Sequence, residues 1–357
     1  MYVPFLKYRY KQSTGLSWWL FMIAGMLQCT ACKKTYTPST HLTNKLVILA
    51  ELTAGDTIKI PVGKSTLIEN GSTINFEKIT NASVHLQDAL GHFWLLPFNA
   101  SPEYSNGPTS IYSYPQKIIA DQTYTIDISQ PDLEAVKATT HIPAAFTITE
   151  VDTLREMYTD QPVLTFNFTI NDVPGEEDFY IIEALKQVVK IYRHFTWQNI
   201  TYNYDTPDGK ALYDRLKDQY PLPLLKDTIP TNTFIRLNMF NRDMLTDNSA
   251  INYNGDSFHR IFLSDASFDG EAYRTTVSVN TQYFTSDNTM MQGSVLFMVK
   301  SVSRGYYDYL FQYEKNKIDF GTLPSSHSVT PSGNITNGLG ILGGVYKNQL
   351  TYYFDTF

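Results

Sequence analysis

Cys29 and Cys32 stand at C-x-x-C spacing and are the only thiols in 357 residues. That spacing serves dithiol redox pairs and half of a four-ligand zinc site. A redox pair needs a βαβ setting and a helix N-terminus to lower the thiol pKa. Zinc needs two further ligands, and the chain holds no other cysteine. A second group, Asp265, Ser267, Asp269 and Gly270 in DASFDGE, has the spacing of the opening of an EF-hand calcium loop. The twelfth loop position falls on Thr276, where such a loop requires a bidentate Glu. A polar hairpin turn is therefore expected. Asp265 and Asp269 remain candidate ligands for calcium in a different geometry, which would suit an extracellular domain.

Other apparent motifs fail on their setting. Gly338, Gly340 and Gly343 match G-x-G-x-x-G, but a dinucleotide site needs a strand before the glycines and a long helix after them. Only 14 residues follow Gly343, and VYKNQLTYYF reads as a strand. Turns and close strand approach are the expected uses of these glycines. GKST at 63–66 would need a phosphate-loop glycine at position 58, which is Ile58. The seven histidines show no metal-ligand spacing, and G-x-S-x-G is absent. Glu176 and Glu177 sit in a Pro-Gly turn and read as solvated. RGYYDYLFQY, residues 304–313, could stack sugar rings, although packing is the commoner use of aromatics on an amphipathic helix. No catalytic residue and no cofactor is expected, and the chain reads as non-enzymatic.

The elements around these residues say more. Lys7, Arg9 and Lys11 are the only charges in residues 1–31, and an apolar run, Leu16–Leu27, follows them. A positive segment, a short apolar run and then small residues form the layout of an export signal. The run is shorter than the ~20 apolar residues of a spanning helix. Thr30 and Ala31 before Cys32 resemble the lipobox of bacterial lipoproteins, with Cys29 standing where that pattern prefers Leu. On this reading residues 1–31 are a signal peptide and Cys29 leaves with it. Cys32 becomes a lipidated N-terminus, palmitate among its acyl chains, and residues 32–44 form a polar tether. Removing residues 1–31 takes three positive charges and no acid from a chain of net charge −7, leaving −10. So acidic a chain is not expected to bind nucleic acid.

Aromatics make up 14% of the chain and charged residues only 18%, a balance that favours strands. Apolar alternation marks strands in DTIKIPVGK, ASVHLQDALGHFWLL, QTYTIDIS, PVLTFNFTIND and GSVLFMVKSVS. KLVILAELTAG is a buried run, and HRIFLSDASFDGEAYRTTVSVN reads as strand, turn and strand. Short helices are expected at 207–219 and 304–315, the second with Ser303 as N-cap. The fold class is mainly β, with two β-sandwich-like domains at 45–143 and 144–357. The sequence also holds three short matches to an O-glycosylation pattern, at Thr57, Thr153 and Thr228.

Five stretches occur in one order: CKKTYTP, LVILAELTAGD, FLSDASFDGEAY, SVSRGYYDYL and NITNGLGILGG. In this the chain resembles a Bacteroidota outer-membrane lipoprotein family catalogued as domain of unknown function 4249. The resemblance covers the whole mature chain, and Asn334–Gly344 is its most specific part. It implies an N-terminal Ig-like or carboxypeptidase-regulatory-like sandwich and a larger C-terminal β domain. It implies a lipid-anchored outer-membrane protein, at the cell surface rather than the periplasmic face. Its expected role is accessory to a TonB-dependent transporter, or to another envelope protein, with a stand-alone glycan-binding or adhesive module as the alternative. A hydrolase is the weaker third reading. The resemblance carries over no catalytic residue.

Overall fold

Period-two alternation becomes strand wherever one face must be buried, because successive side chains leave opposite faces of the backbone. The computed structural model describes residues 44–65, 78–100, 110–175, 177–251, 257–281, 294–319 and 331–353. They fall within one compact unit, Asn44–Phe357. With strands numbered in chain order, the largest sheet among the described residues has nine. These are β1 (Leu46–Thr53), β2 (Thr57–Lys64), β5 (Ser110–Lys117), β10 (Phe179–Trp197), β11 (Ile200–Asn203), β12 (Leu225–Arg236), β15 (Ile261–Ser264), β17 (Ser294–Val302) and β18 (Leu339–Tyr353). Their order is β11-β10-β17-β18-β1-β2-β5, with β12 and β15 also paired to β10. A second sheet runs β14 (Ser257–Phe258), β13 (Met239–Asn241), β16 (Ala272–Asn280), β9 (Gln161–Asn171) and β8 (Thr147–Tyr158). A third runs β4 (Phe93–Leu96), β3 (Ser83–Asp88), β6 (Gln122–Gln130) and β7 (Leu133–Ile142). The two α-helices described are α1 (Pro207–Leu216) and α2 (Arg304–Asp319). Neither is long and apolar enough to cross a membrane.

The mainly β fold with two helices agrees with the sequence reading. What the alternation does not reveal is that one sheet serves both sandwiches. The first half of β18 runs parallel to β1, from Val47 opposite Leu339 to Thr53 opposite Val345. From Val345 onward β18 pairs antiparallel with β17. The β1-β2-β5 end packs on the third sheet, around Ile48, Ile60, Leu86 and Ile126. The β10-β17-β18 end packs on the second sheet, around Phe166, Phe168, Tyr180 and Phe297. Near the expected boundary at 143–144 the chain passes between cores, since Ile142 belongs to the first and Phe146 to the second.

β10 continues to Trp197, well past the apolar run that announces it. Beyond Lys186 it leaves β17 and pairs only with β11 and β12, and Phe195 there is buried against Tyr202 and the Tyr213 of a neighbouring helix rather than in a sheet-on-sheet core. α1 starts where Thr206 accepts the Gly209 N–H on its Oγ1 at 3.1 Å, with Pro207 in the first turn.

Candidate ligand cavity and acidic cluster

The shared sheet has an outer face, and period two decides which residues occupy it. Tyr180, Ile182 and Ala184 of β10 point into the second core, so Ile181 and Glu183 point outward. By the same parity Lys300 and Val302 of β17, Gly343 and Val345 of β18, and Leu49 and Glu51 of β1 face outward. α2 lies over this face. Its Tyr307 packs edge-on to Phe262 and beside Phe179, and Phe311 also meets Phe262 edge-on. Tyr306 rests directly on Gly343, where a Cβ would lie 2.4 Å from the ring. Ser303, the expected cap, stands just before α2. Its Oγ accepts from the Gly344 N–H at 3.1 Å and from the Thr140 hydroxyl at 3.2 Å, which ties the helix start to β18 and β7.

A cavity of about 430 Å³ opens between α2 and the sheet. Tyr306, Tyr309 and Tyr313 of α2 wall one side, and Leu49 and Ile341 the other. Its polar surface belongs to a network of charges centred on the buried Glu183 and Lys300. The Glu183 carboxylate meets Arg260 Nε at 2.8 Å, Arg236 Nη2 at 3.0 Å and Lys300 Nζ at 3.2 Å. Lys300 also reaches Glu51 at 3.1 Å, and Arg260 pairs with Glu314. The Tyr306 hydroxyl donates to Glu51 at 2.9 Å. Burial works to raise the Glu183 carboxyl, but Lys300, Arg260 and Arg236 outweigh it and hold it below the usual range. Burial likewise works to lower the Lys300 ammonium, and Glu51 and Glu183 outweigh it, so the pKa is raised. Three acids and three bases therefore neutralise one another.

At one end of the second core lies a contrasting site. Asp172 follows β9, Asp178 precedes β10, and Asp265 and Asp269 lie in the turn from β15 to β16. Asp172, Asp265 and Asp269 each bring a carboxylate oxygen within 4.8 Å of the others. Gly270 N–H donates to Asp172 Oδ2 at 2.7 Å, and Tyr180 donates to Asp172 Oδ1. Gly175 N–H donates to Asp269 Oδ1 at 3.1 Å. Gly270 has φ +70°, and a Cβ there would lie 2.6 Å from Pro174, so only glycine lets the two loops meet. Asp178 accepts from Ser301 Oγ at 3.3 Å. Burial first, then the neighbouring charges of Asp172, Asp265 and Asp269, push its carboxyl up to about 6.

Both weak candidate ligands, Asp265 and Asp269, thus lie in one cluster. The EF-hand spacing itself is incidental, because Thr276 is in β16 and bonds Asn167. Asp172 and Asp178 escaped the sequence reading because they lie on another loop. Their signal was NDVPGEED, an acidic turn between two apolar strands. Glu177 of that turn pairs with Arg304 at 2.9 Å, whereas Glu176 lies outside the described residues. Glu51, Glu183 and Lys300 were also missed, although each is a charge inside a strand of buried apolar residues. Thr57 and Thr153 are exposed on β2 and β8, and Thr228 lies within β12. Cys32, with residues 1–43, lies outside the described residues.

Fold and sites together define a mainly β protein whose two cores share one sheet, with a helix-roofed cavity on its outer face. The chain belongs to the family described as Domain of unknown function (DUF4249), whose model matches residues 33–351. No curated protein matches it. One solved structure, titled "The Enterococcus faecalis MSCRAMM ACE binds its ligands by the collagen Hug Model", aligns over 72% of this chain and 88% of its own. Identity is 8% and the TM-score 0.15, so that likeness carries no argument.

Proposed function

We propose that this chain is a non-enzymatic lipoprotein, held on the outer membrane by lipid on Cys32, that captures a small polar ligand for a TonB-dependent transporter. The observation that carries the proposal is the cavity beneath α2. Its tyrosines offer apolar faces and hydroxyls, and its charged floor offers donors and acceptors in fixed positions. Because each charge there is held by an opposite one, the floor suits hydrogen bonding to a neutral polyhydroxylated ligand better than proton transfer. Complex assembly has its own support in the β10–β12 arm. Ile200, Leu225, Ile229, Phe234 and Ile235 are exposed there, an unusual concentration of apolar side chains outside a core.

The test is purification of the tagged native protein from envelopes in mild detergent, with partners identified by mass spectrometry. An outer-membrane barrel is expected among them, and its repeated absence overturns the transporter role. The stand-alone glycan-binding reading rests on the same tyrosines. Saturable binding on a polysaccharide array, weakened by Tyr313→Ala, with no barrel recovered, would favour it. Mass spectrometry of the mature N-terminus tests the anchor, since an unmodified Cys32 or a retained Cys29 removes it.

A further inference from the structure

Four carboxylates converge where the loop between β9 and β10 meets the turn between β15 and β16. Among the described residues no lysine, arginine or histidine pairs with Asp172, Asp178, Asp265 or Asp269. An acidic cluster alone is common and proves nothing. Here a second observation points to a ligand. Asp265 is 1% exposed, and its Oδ2 has no hydrogen-bond partner among the described residues. A buried carboxylate oxygen without a donor is costly, and facing two further carboxylates makes it costlier. The Asp178 backbone amide favours the charged carboxylate, but burial and the neighbouring acids outweigh it.

We propose that Asp172, Asp265 and Asp269 bind a divalent cation, calcium by preference, with Asp178 beside them. The ligand atoms are already close enough for one ion to bridge, since calcium takes oxygen ligands at about 2.3–2.6 Å on every side. Calcium accepts irregular geometry and completes six to eight ligands with bidentate carboxylates and water, whereas magnesium demands a tight octahedron. The three carboxylates are held from different directions. Asp172 is fixed by Gly270 N–H and Tyr180, and Asp269 by Gly175 N–H, while the Asp265 N–H donates to the Asp178 carbonyl at 3.1 Å. Hydrogen bonds within the fold thus orient the Asp172 and Asp269 carboxylates toward the shared site.

The cation would act as a staple. β9 and β16 belong to the second sheet and β10 and β15 to the nine-stranded sheet, so an ion here ties the two layers at one end of the core. If Cys29 leaves with the signal and Cys32 carries lipid, the mature chain has no thiol for a disulfide, and a metal cross-link would supply that kind of restraint.

The experiment is thermal unfolding of the chelator-stripped mature protein in detergent, titrated with calcium chloride or magnesium chloride. Calcium at about 10 mM should raise Tm by about 5 °C, with a Kd of about 0.1–1 mM as for extracellular calcium modules. Magnesium should do clearly less. Terbium should bind with luminescence sensitised by Tyr180 and be displaced by calcium. Asp269→Asn, at an exposed position, should fold normally and weaken calcium binding by about tenfold or more. Asp265→Asn should abolish the response. If the Asp265 variant does not fold, Asp269→Asn decides alone. No rise in Tm for the parent protein, or an equal rise in the Asp269→Asn variant, overturns the proposal.

Discussion

The cavity floor and the acidic cluster solve the same problem in opposite ways. Both place several charges out of water against the large sheet, about where β10 and β17 pair. At the floor, Glu51, Glu183 and Glu314 face Lys300, Arg236 and Arg260, and the account closes within the protein. At the other site, Asp172, Asp178, Asp265 and Asp269 face each other. The difference teaches how to tell a structural charge network from a site built for something absent. In the first, every charge is needed by another. In the second, removing one charge relieves the rest. Mutations should therefore act with opposite signs at the two places.

The largest effect is expected at the balanced network. Lys300→Met leaves the buried Glu183 and the part-exposed Glu51 short of their shared cation. It should lower unfolding free energy by about 3–5 kcal/mol, as removal of one partner of a buried pair does. Chemical denaturation of both proteins measures this, and a loss indistinguishable from zero would mean that the network is solvated in solution. A steric change at the same face comes next. Gly343→Ala drives a methyl into the Tyr306 ring and must lift α2, at a cost of about 2–3 kcal/mol. Tyrosine near-ultraviolet dichroism should change with it, because Tyr306 carries the contact to Glu51. Unaltered dichroism and stability would show that the helix is not seated on the sheet.

The sequence carried the strands better than it carried either site. Alternation in TIKIPVGK and TYTIDISQ announced β2 and β6, because each has one buried face and one wet face. β18 was half legible. Its glycines suggested close strand approach, which Gly340 against the Ile48 carbonyl of β1 bears out, whereas Gly343 makes room for a helix side chain, and its parallel pairing with β1 spans nearly the whole chain. No local pattern encodes a partner that distant. The sites failed for the same reason. Asp265 and Asp269 stood together in one turn, whereas Asp172 and Asp178 come from a loop 87 or more residues earlier. The floor residues left a subtler mark: a Glu or Lys in a strand whose neighbours are buried, which only sheet parity turns into a shared face.

A third buried charge sharpens the contrast through pH. Lys186 is 3% exposed on β10, and its parity aims it with Ala184 and Ile182 toward the second core. Burial pushes its ammonium down to about 8. The unfolded chain keeps that proton to about 10.4, so between these values the unfolded state binds more protons than the folded one. Stability should therefore rise with pH across the window, by about 1–2 kcal/mol between pH 8 and 9.5, before buried tyrosines begin to lose protons in the unfolded state. Denaturation at several pH values checks it. Lys186→Met should flatten the rise, while Lys300→Met, whose cation stays charged throughout, should leave it in place.

The smallest effect is the one whose sign matters most. Asp265→Asn removes a charge from a site where burial and the carboxylates of Asp172, Asp269 and Glu177 already push its pKa up. In chelator the substitution should stabilise the protein by about 1 kcal/mol, since like charges at such separations repel appreciably even at a high effective dielectric. The amide also keeps the carboxylate's shape. In saturating calcium the order should invert, with the parent chain the more stable, because only it can gain from the ion. The crossing of the two Tm values along one calcium titration is therefore the discriminating measurement. A variant less stable than its parent in chelator would place Asp265 with the balanced charges of the cavity floor, as a residue the fold needs rather than one the fold tolerates for a ligand.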